Sequence, residues 1–136
     1  MLNQSTTLAR INLARNPLGD IGLASLASLP WLRLSHLDLR ACGLAAEGIN
    51  SLSEAAESGG LNALCMIDLS NNALGPGSGV GLARLLGGSP ALGELKLSSC
   101  NLGDEGVMCL AEGLALHRGN LHTLNISDNG FGDMSG

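Results

Sequence analysis

Aliphatic and polar residues alternate along this chain in a pattern that recurs. An eleven-residue stretch of the form LxxLxLxxN/CxL, with Ile or Phe replacing leucine at some positions, occurs five times. Its central LxL places aliphatic side chains on one side of an extended backbone and the intervening residues on the other. Each copy therefore predicts a short β-strand with one buried face. The copies occupy residues 8–18, 34–44, 64–74, 92–102 and 121–131.

A second pattern, with helical spacing, lies between these copies. In residues 103–117 an acidic start suits the positive end of a helix dipole, and the apolar residues that follow share one helical face. Those apolar residues are Val107, Leu110, Ala111 and Leu114. Pro76 and the glycines around it predict that the third helix begins late. The predicted helices cover residues 21–29, 48–58, 79–88 and 103–117.

The two patterns together form a repeated unit. The position that holds Asn or Cys falls at residues 16, 42, 72, 100 and 129, so successive units are 26 to 30 residues apart. A strand and helix of this size are not stable alone, so neighbouring units must bury their apolar faces against one another. We predict a single domain, 1–136, with about four full repeats and a partial fifth that stops before its helix.

A polar position ends each predicted strand. An Asn is too polar to be buried without partners, so we expect it to bond to backbone groups of its own turn and of the adjacent repeat. A Cys fills the same position with a weaker thiol donor. The predicted ladder consists of Asn16, Cys42, Asn72, Cys100 and Asn129.

With its LGDEG turn at residues 102–106 and its alternation of Asn and Cys, the unit resembles the ribonuclease-inhibitor subfamily of leucine-rich repeats from Leu8 onward. The resemblance implies an α/β fold, a right-handed horseshoe with a parallel sheet on the concave side and short helices on the convex side. The same unit occurs in innate-immune receptors, Ran GTPase-activating proteins, tropomodulins and Tonsoku-like scaffolds. It therefore indicates a fold without indicating one biological role.

In such a horseshoe, partners usually contact the outward residues of the strands. These positions predict a protein-binding face of mixed charge, although outward strand residues must also be polar where no partner binds. Interface hot spots favour Trp, Tyr and Arg, and only Arg occurs at these positions. The predicted partner-binding residues are Arg10, Asn12, His36, Asp38, Arg40, Met66, Asp68, Glu94, Lys96 and Asn125.

Composition and charge narrow the kinds of partner. The net charge is −5 and the bases are scattered singly, which argues against nucleic-acid binding. The excess acid lies on the predicted turns and helices, where we interpret it as solvation rather than as an acidic docking patch. No stretch has the roughly 20 apolar residues of a membrane helix. Trp31 is expected to pack in the loop before the second strand.

The four cysteines show neither CxxC nor a paired Cys/His spacing of the kind that zinc requires, so we predict no metal site. We expect them to be reduced and packed as small hydrophobic residues, which indicates an intracellular protein, cytoplasmic or nuclear. The glycines near Pro76 lack the GK[ST] ending of a phosphate-binding loop, and no other cofactor motif is present. His36 and Asp38 resemble an acid/base pair, but no nucleophile accompanies them and an open sheet does not exclude water.

We therefore predict a protein-interaction module without catalytic residues, forming part of a larger scaffold or receptor. The incomplete fifth copy and the lack of recognisable polar end caps favour the larger protein. One alternative is a GTPase-activating or other regulatory repeat protein, although those families usually have more repeats and an acidic tail. Another is a purely structural repeat segment.

Overall fold

The computed structural model describes residues 8–29, 33–117 and 121–130, and over these ranges short strands alternate with helices. Trp31 and the end of the fifth copy, including Phe131, lie outside the described residues. The strands are β1 (Arg10–Asn12), β2 (His36–Asp38), β3 (Met66–Asp68), β4 (Glu94–Lys96) and β5 (Thr123–Asn125). The helices are α1 (Gly19–Ala27), α2 (Ala46–Glu57), α3 (Gly79–Gly87) and α4 (Gly103–Leu116). None of these helices is long and apolar enough to cross a membrane.

The strands form one parallel sheet in the order of the sequence. Each strand pairs with the next in constant register, so that the middle residues Ile11, Leu37, Ile67, Leu95 and Leu124 form one row. Backbone bonding continues beyond the strands, since the N–H of Arg15 donates to the carbonyl of Arg40 at 2.8 Å. The predicted α/β repeat solenoid is confirmed.

The core is a continuous row of aliphatic side chains between the sheet and the helices. In the middle of the stack, the strand leucines and the helix residues Leu52 and Leu82 are buried. At the β1 end Ile11 and Leu13 are only partly buried, as is Leu124 at the β5 end. This gradient is what a stack requires, because each repeat is covered only by its neighbours.

Individual residues determine where α3 begins and which face of α4 is buried. A 3₁₀ turn at Pro76–Ser78 precedes α3, so the predicted late start is confirmed. The prediction that Ala111 lies on the buried face of α4 was wrong, since this residue is exposed. Gly113 is buried instead.

Gly113 also sets the distance between α3 and α4. A Cβ atom there would lie 2.5 Å from the Cβ of Ala83, so the absent side chain lets the two helices approach closely.

Each turn that follows a described strand contains a residue other than glycine in the left-handed backbone region. The φ angles lie between 52° and 67° for Arg15, Ala41, Asn71, Ser99 and Asp128. The N–H of Ala41 bonds to the carbonyl of Ser70 at 3.0 Å, and the equivalent N–H groups of Arg15, Asn71 and Ser99 also bond to the next repeat. The unusual conformation thus accompanies a continuous backbone ladder between repeats.

The four cysteines differ in exposure. All are free thiols, and Cys42 and Cys100 are buried as expected. The expectation of packing was wrong for Cys65, which is exposed, and only partly right for Cys109, which is partly exposed. Cys65 lies between the buried Leu64 and β3, where the alternation of the extended chain directs its side chain away from the core.

Candidate functional site

The predicted Asn/Cys ladder is built around Asn72. Its Oδ1 accepts the backbone N–H groups of Cys42 at 2.9 Å and Leu44 at 3.0 Å in the preceding repeat. Its Nδ2 donates to the carbonyls of Leu39 at 2.9 Å and Leu69 at 2.8 Å. The amide therefore bonds to backbone groups of two repeats.

Asn129 repeats this arrangement, whereas the described bonds of Asn16 lie within its own turn. Asn129 accepts the N–H groups of Cys100 and Leu102 at 2.9 and 3.1 Å. Asn16, in the first described repeat, is exposed, and its Nδ2 bonds to the carbonyls of Leu13 and Ala14 in its own turn.

The cysteines provide the thiol donors expected of them. The Sγ of Cys42 donates to the carbonyl of Leu13 at 3.0 Å, and that of Cys100 donates to the carbonyl of Leu69 at 3.2 Å. Burial raises the pKa of the Cys100 thiol to about 11, so it remains protonated at neutral pH and retains its hydrogen for this bond.

The outward residues of the strands lie on the face of the sheet opposite the core, which we call the open face. The register aligns Arg10, His36, Met66, Glu94 and Thr123 in a first column. It aligns Asn12, Asp38, Asp68, Lys96 and Asn125 in a second. Arg40 lies two residues beyond Asp38, at the start of the following turn. The structure therefore brings the predicted partner-binding residues together on one surface.

Four residues of the second column support their own turns. Oδ1 of Asn12, Asp38, Asp68 and Asn125 accepts the backbone N–H two residues later, at 3.0 to 3.2 Å. Asp68 is the most buried of the column, with 8% of its surface exposed. The type of residue at this position is therefore set partly by the turn, and partner binding need not explain it.

Lys96 is the exception in the second column because it has no acceptor to offer. At the equivalent place the N–H of Ser98 bonds to Oγ of Ser70 in the preceding repeat, at 3.0 Å. The hydroxyl of Ser98 in turn lies 3.0 Å from that of Ser127. Ser70 thus replaces the missing acceptor, and the N–H of Ser98 is bonded without the side chain of Lys96.

Arg40 is held by two carboxylates. Its Nε and Nη2 donate to the two oxygens of Asp38 at 2.9 and 2.8 Å, and Nε lies 3.7 Å from Oδ2 of Asp68. Burial tends to raise the pKa of Asp38, but the hydrogen bonds from Arg40 and the charges of Arg40 and Lys96 outweigh it and lower that pKa. The hydrogen bond to Asp38 raises the pKa of Arg40. This guanidinium is thus engaged within the protein.

Three other charged side chains of the open face remain available to contact a partner. Within the described part of the chain, Arg10, Glu94 and Lys96 form no ion pair. Arg10 borders a depression of about 280 Å³ at the β1 to β3 end of the face. Its lining also includes Ile11, Asn12, His36, Asp38 and Met66. The outward side chains of this lining combine the apolar Met66 with polar and charged residues, which suits a protruding side chain of a protein partner.

His36 and Asp38 do not form an acid/base pair with each other. Nδ1 of His36 lies 2.8 Å from the hydroxyl of Ser35, whereas the Asp38 oxygens are bound by Arg40. Over the ranges that the structure describes, no group of three His, Cys, Asp or Glu side chains is placed to hold a metal ion.

Comparisons with known proteins agree with this architecture. A family model for the leucine-rich repeat matches residues 4–27, 89–111 and 120–134. The ribonuclease inhibitor of Sus scrofa is 31% identical over 140 residues, which cover 97% of this chain and 29% of that protein. The chain is a leucine-rich repeat protein of the ribonuclease-inhibitor-like type. The family resemblance of its sequence motif is thereby confirmed.

Other relatives of this leucine-rich repeat chain are much longer. The Tonsoku-like protein of Mus musculus is 40% identical over 104 residues, covering 73% of this chain and 8% of that protein. The Tonsoku-like protein of Danio rerio is 32% identical over 142 residues, covering 96% and 10%. The chain therefore spans about a tenth of these relatives and under a third of the ribonuclease inhibitor.

A solved structure supports the fold independently. The C-terminal domain of tropomodulin from Caenorhabditis elegans superposes with a TM-score of 0.74 at 20% identity, covering 98% of this chain and 81% of that one. Leucine-rich repeats generally mediate protein–protein interaction, and repeats of this family are binding modules and not enzymes.

Proposed function

We propose that this leucine-rich repeat chain binds a protein partner on its open face, as part of a larger scaffold or receptor. The observation that carries the proposal is the combination of Arg10, Glu94 and Lys96, which form no ion pair within the described part of the chain, with the depression that Arg10 borders. Charges outside ion pairs can attract and orient a partner without first breaking such a pair.

The lining of the depression also favours a partner that supplies the large apolar side chain of the interface. The outward columns contain no Phe, Tyr or Trp, whereas the depression has the apolar side chain of Met66 in its lining. A methionine adapts its shape to an incoming group because its side chain is unbranched and flexible. We therefore expect the partner to insert an apolar or aromatic side chain, with Arg10 contacting its polar rim.

A purely structural role is the second candidate, and a specific observation favours it. Asn12, Asp38, Asp68 and Asn125 each accept a hydrogen bond from their own turn, so their polarity has a structural explanation. The two candidates therefore differ in what Arg10, Glu94 and Lys96 do, because among the described residues none of these three accepts a bond from its own turn.

We also propose that the protein acts inside the cell, in the cytoplasm or the nucleus. The thiols of Cys42 and Cys100 serve as hydrogen-bond donors in the ladder, and this role requires them to stay reduced. Reducing compartments maintain thiols in that state.

Affinity capture from cell lysate tests the main proposal. The bait is compared with an Arg10→Ala, Glu94→Ala, Lys96→Ala variant, which leaves the Arg40 ion pairs intact, and captured proteins are identified by mass spectrometry. An exposed helix variant, Glu47→Ala with Glu54→Ala, is the control. Proteins retained by the parent and the control but lost by the open-face variant would support the proposal. Equal capture by all three folded baits would mean that the open-face charges contact no partner, which would support the structural role of this face.

A further inference from the structure

A groove lies between α3 and α4 on the helical side of the molecule. Its volume is about 330 Å³. Each helix lines it with four residues at i, i+3, i+4 and i+7, the spacing of one helical face. These are Val80, Ala83, Arg84 and Gly87 of α3, with Cys109, Glu112, Gly113 and Leu116 of α4.

The lining of this groove is unusually apolar for an outer helical surface. Val80 is 59% exposed and Leu116 is 77% exposed, although both are large aliphatic residues. The groove between α1 and α2 has the same position in the fold but is lined by small and polar residues. They are Ala24, Ala27, Ser28, Ser51, Glu54, Ala55, Ser58 and Gly60. The α1 and α2 groove therefore lacks the apolar character of the α3 and α4 groove, so this character does not follow from the repeat alone.

The surroundings of the groove are negatively charged. Its one basic residue, Arg84, donates to both carboxylate oxygens of Glu57 at 2.7 and 3.0 Å. Glu112 lines the groove and, within the described residues, forms no ion pair. Glu105, which is exposed, lies one α4 turn before Cys109 on the same helical face. Solvation explains the acidic side chains, but it does not explain two exposed aliphatic residues that line one groove.

We propose that this groove binds a cationic amphipathic helix of a partner protein. An apolar stripe on that helix would cover Val80 and Leu116, and its Lys or Arg residues would lie beside Glu105 and Glu112. Charge complementarity selects a basic partner over an acidic one. The groove lies on the opposite side of the molecule from the open face, so the two surfaces can be occupied at the same time.

A model peptide provides a direct test. The probe is a fluorescein-labelled, 14-residue helix of Leu and Lys with Leu on one face, and its binding is measured by fluorescence anisotropy. We expect Val80→Ser with Leu116→Ser to weaken binding about tenfold or more, because apolar contact area is lost. Glu112→Lys is expected to weaken it severalfold, and added salt is expected to weaken binding to the parent.

Matched controls separate the groove from general stickiness. Ile21→Ser removes an aliphatic side chain that is 86% exposed on α1, and Glu47→Lys reverses a charge on α2. Both variants, and the open-face triple variant, should bind the peptide within about twofold of the parent. The side chains substituted on the helices are exposed, and circular dichroism verifies that each variant is folded.

Three results of the peptide assay would overturn the groove proposal. They are equal weakening by Ile21→Ser and the groove variants, equal binding of a peptide with Glu in place of Lys, and absence of binding to the parent at millimolar peptide. A dimer of the parent in sedimentation that Leu116→Ser abolishes would also overturn it, since a second copy would then be the occupant. Because the open-face variant is measured separately, failure here leaves the proposed function unaffected.

Discussion

The side-chain oxygen of Asn72 accepts the backbone N–H of Cys42 at 2.9 Å, across the boundary between two repeats. The same oxygen accepts the N–H of Leu44, so one amide satisfies two buried backbone donors of the preceding turn. In the same position of the repeat, Cys42 and Cys100 instead donate their thiol hydrogens to carbonyls. Asn and Cys therefore perform different tasks in the same position of the repeat.

Asn72→Ala is expected to lower the free energy of unfolding by about 3 kcal/mol, because two buried N–H groups lose their acceptor. Asn16→Ala should cost under about 1 kcal/mol, since Asn16 is exposed and bonds to carbonyls of its own turn. Urea unfolding followed by circular dichroism measures both. Equal losses for the two variants would show that the bonds between repeats do not stabilise the stack.

Gly113→Ala is expected to destabilise the protein by about 1 to 3 kcal/mol, although alanine has the higher helix propensity. The new Cβ would lie 2.5 Å from the Cβ of Ala83 and 2.7 Å from its Cα, so α3 and α4 would have to separate. Gly87→Ala is the matched control, because nothing lies within 4 Å of a Cβ atom there. It should be neutral or stabilising by up to about 1 kcal/mol in thermal unfolding. A stabilised Gly113→Ala would contradict the close helix packing.

Much of this fold could be predicted from the sequence because each repeat buries aliphatic residues at the same positions. The LxL spacing identifies the strands, and the register follows from aligning the repeated motifs. Ala111 and Cys65 were misplaced because hydrophobicity alone does not tell which side of an element meets its neighbour. The close contact of Gly113 with Ala83 depends on the distance between two helices, which no local pattern contains.

Ala41→Gly is expected to stabilise the protein by up to about 1 kcal/mol, because Ala41 has a φ of 52° and glycine adopts this region without steric cost. Ala73 is also exposed but is not among the residues with positive φ, so Ala73→Gly should instead cost several tenths of a kcal/mol. Urea midpoints of the two variants provide the comparison. Destabilisation by both would mean that the turn conformation carries no strain.

Asp38→Asn is expected to reduce the loss of stability in acid. The pKa of Asp38 is lower in the folded protein than its ordinary value of 3.8, so its contribution is fully present above that value and disappears as the pH falls toward the lowered pKa. The parent should therefore lose more stability than the variant between about pH 5 and about pH 3. Urea unfolding at several pH values measures this difference. An acid profile of Asp38→Asn that equals the parent's would contradict the role of the Arg40 ion pair.

The candidate site could be predicted only in part. Sequence register gives the outward columns, but it treats Arg10 and Arg40 alike as charged anchors. The structure separates them, because Arg40 is held by Asp38 whereas Arg10 borders a depression. Whether a charged side chain forms an ion pair depends on rotamers and distances that a repeat pattern does not encode. The α3 and α4 groove could not be predicted from the sequence either, because Val80 and Leu116 come from different repeats.

Site-specific photocrosslinking tests the central claim most directly. A photoreactive residue replaces Met66, at the centre of the open face, or Asn50, which is exposed on α2, and each chain is irradiated in living cells. The account predicts a discrete crosslinked protein band from position 66 that is weaker or missing from position 50 and is lost in the Arg10, Glu94 and Lys96 variant. Crosslinks of equal strength from both positions, or a position-66 band that survives the triple substitution, would contradict binding through the open face.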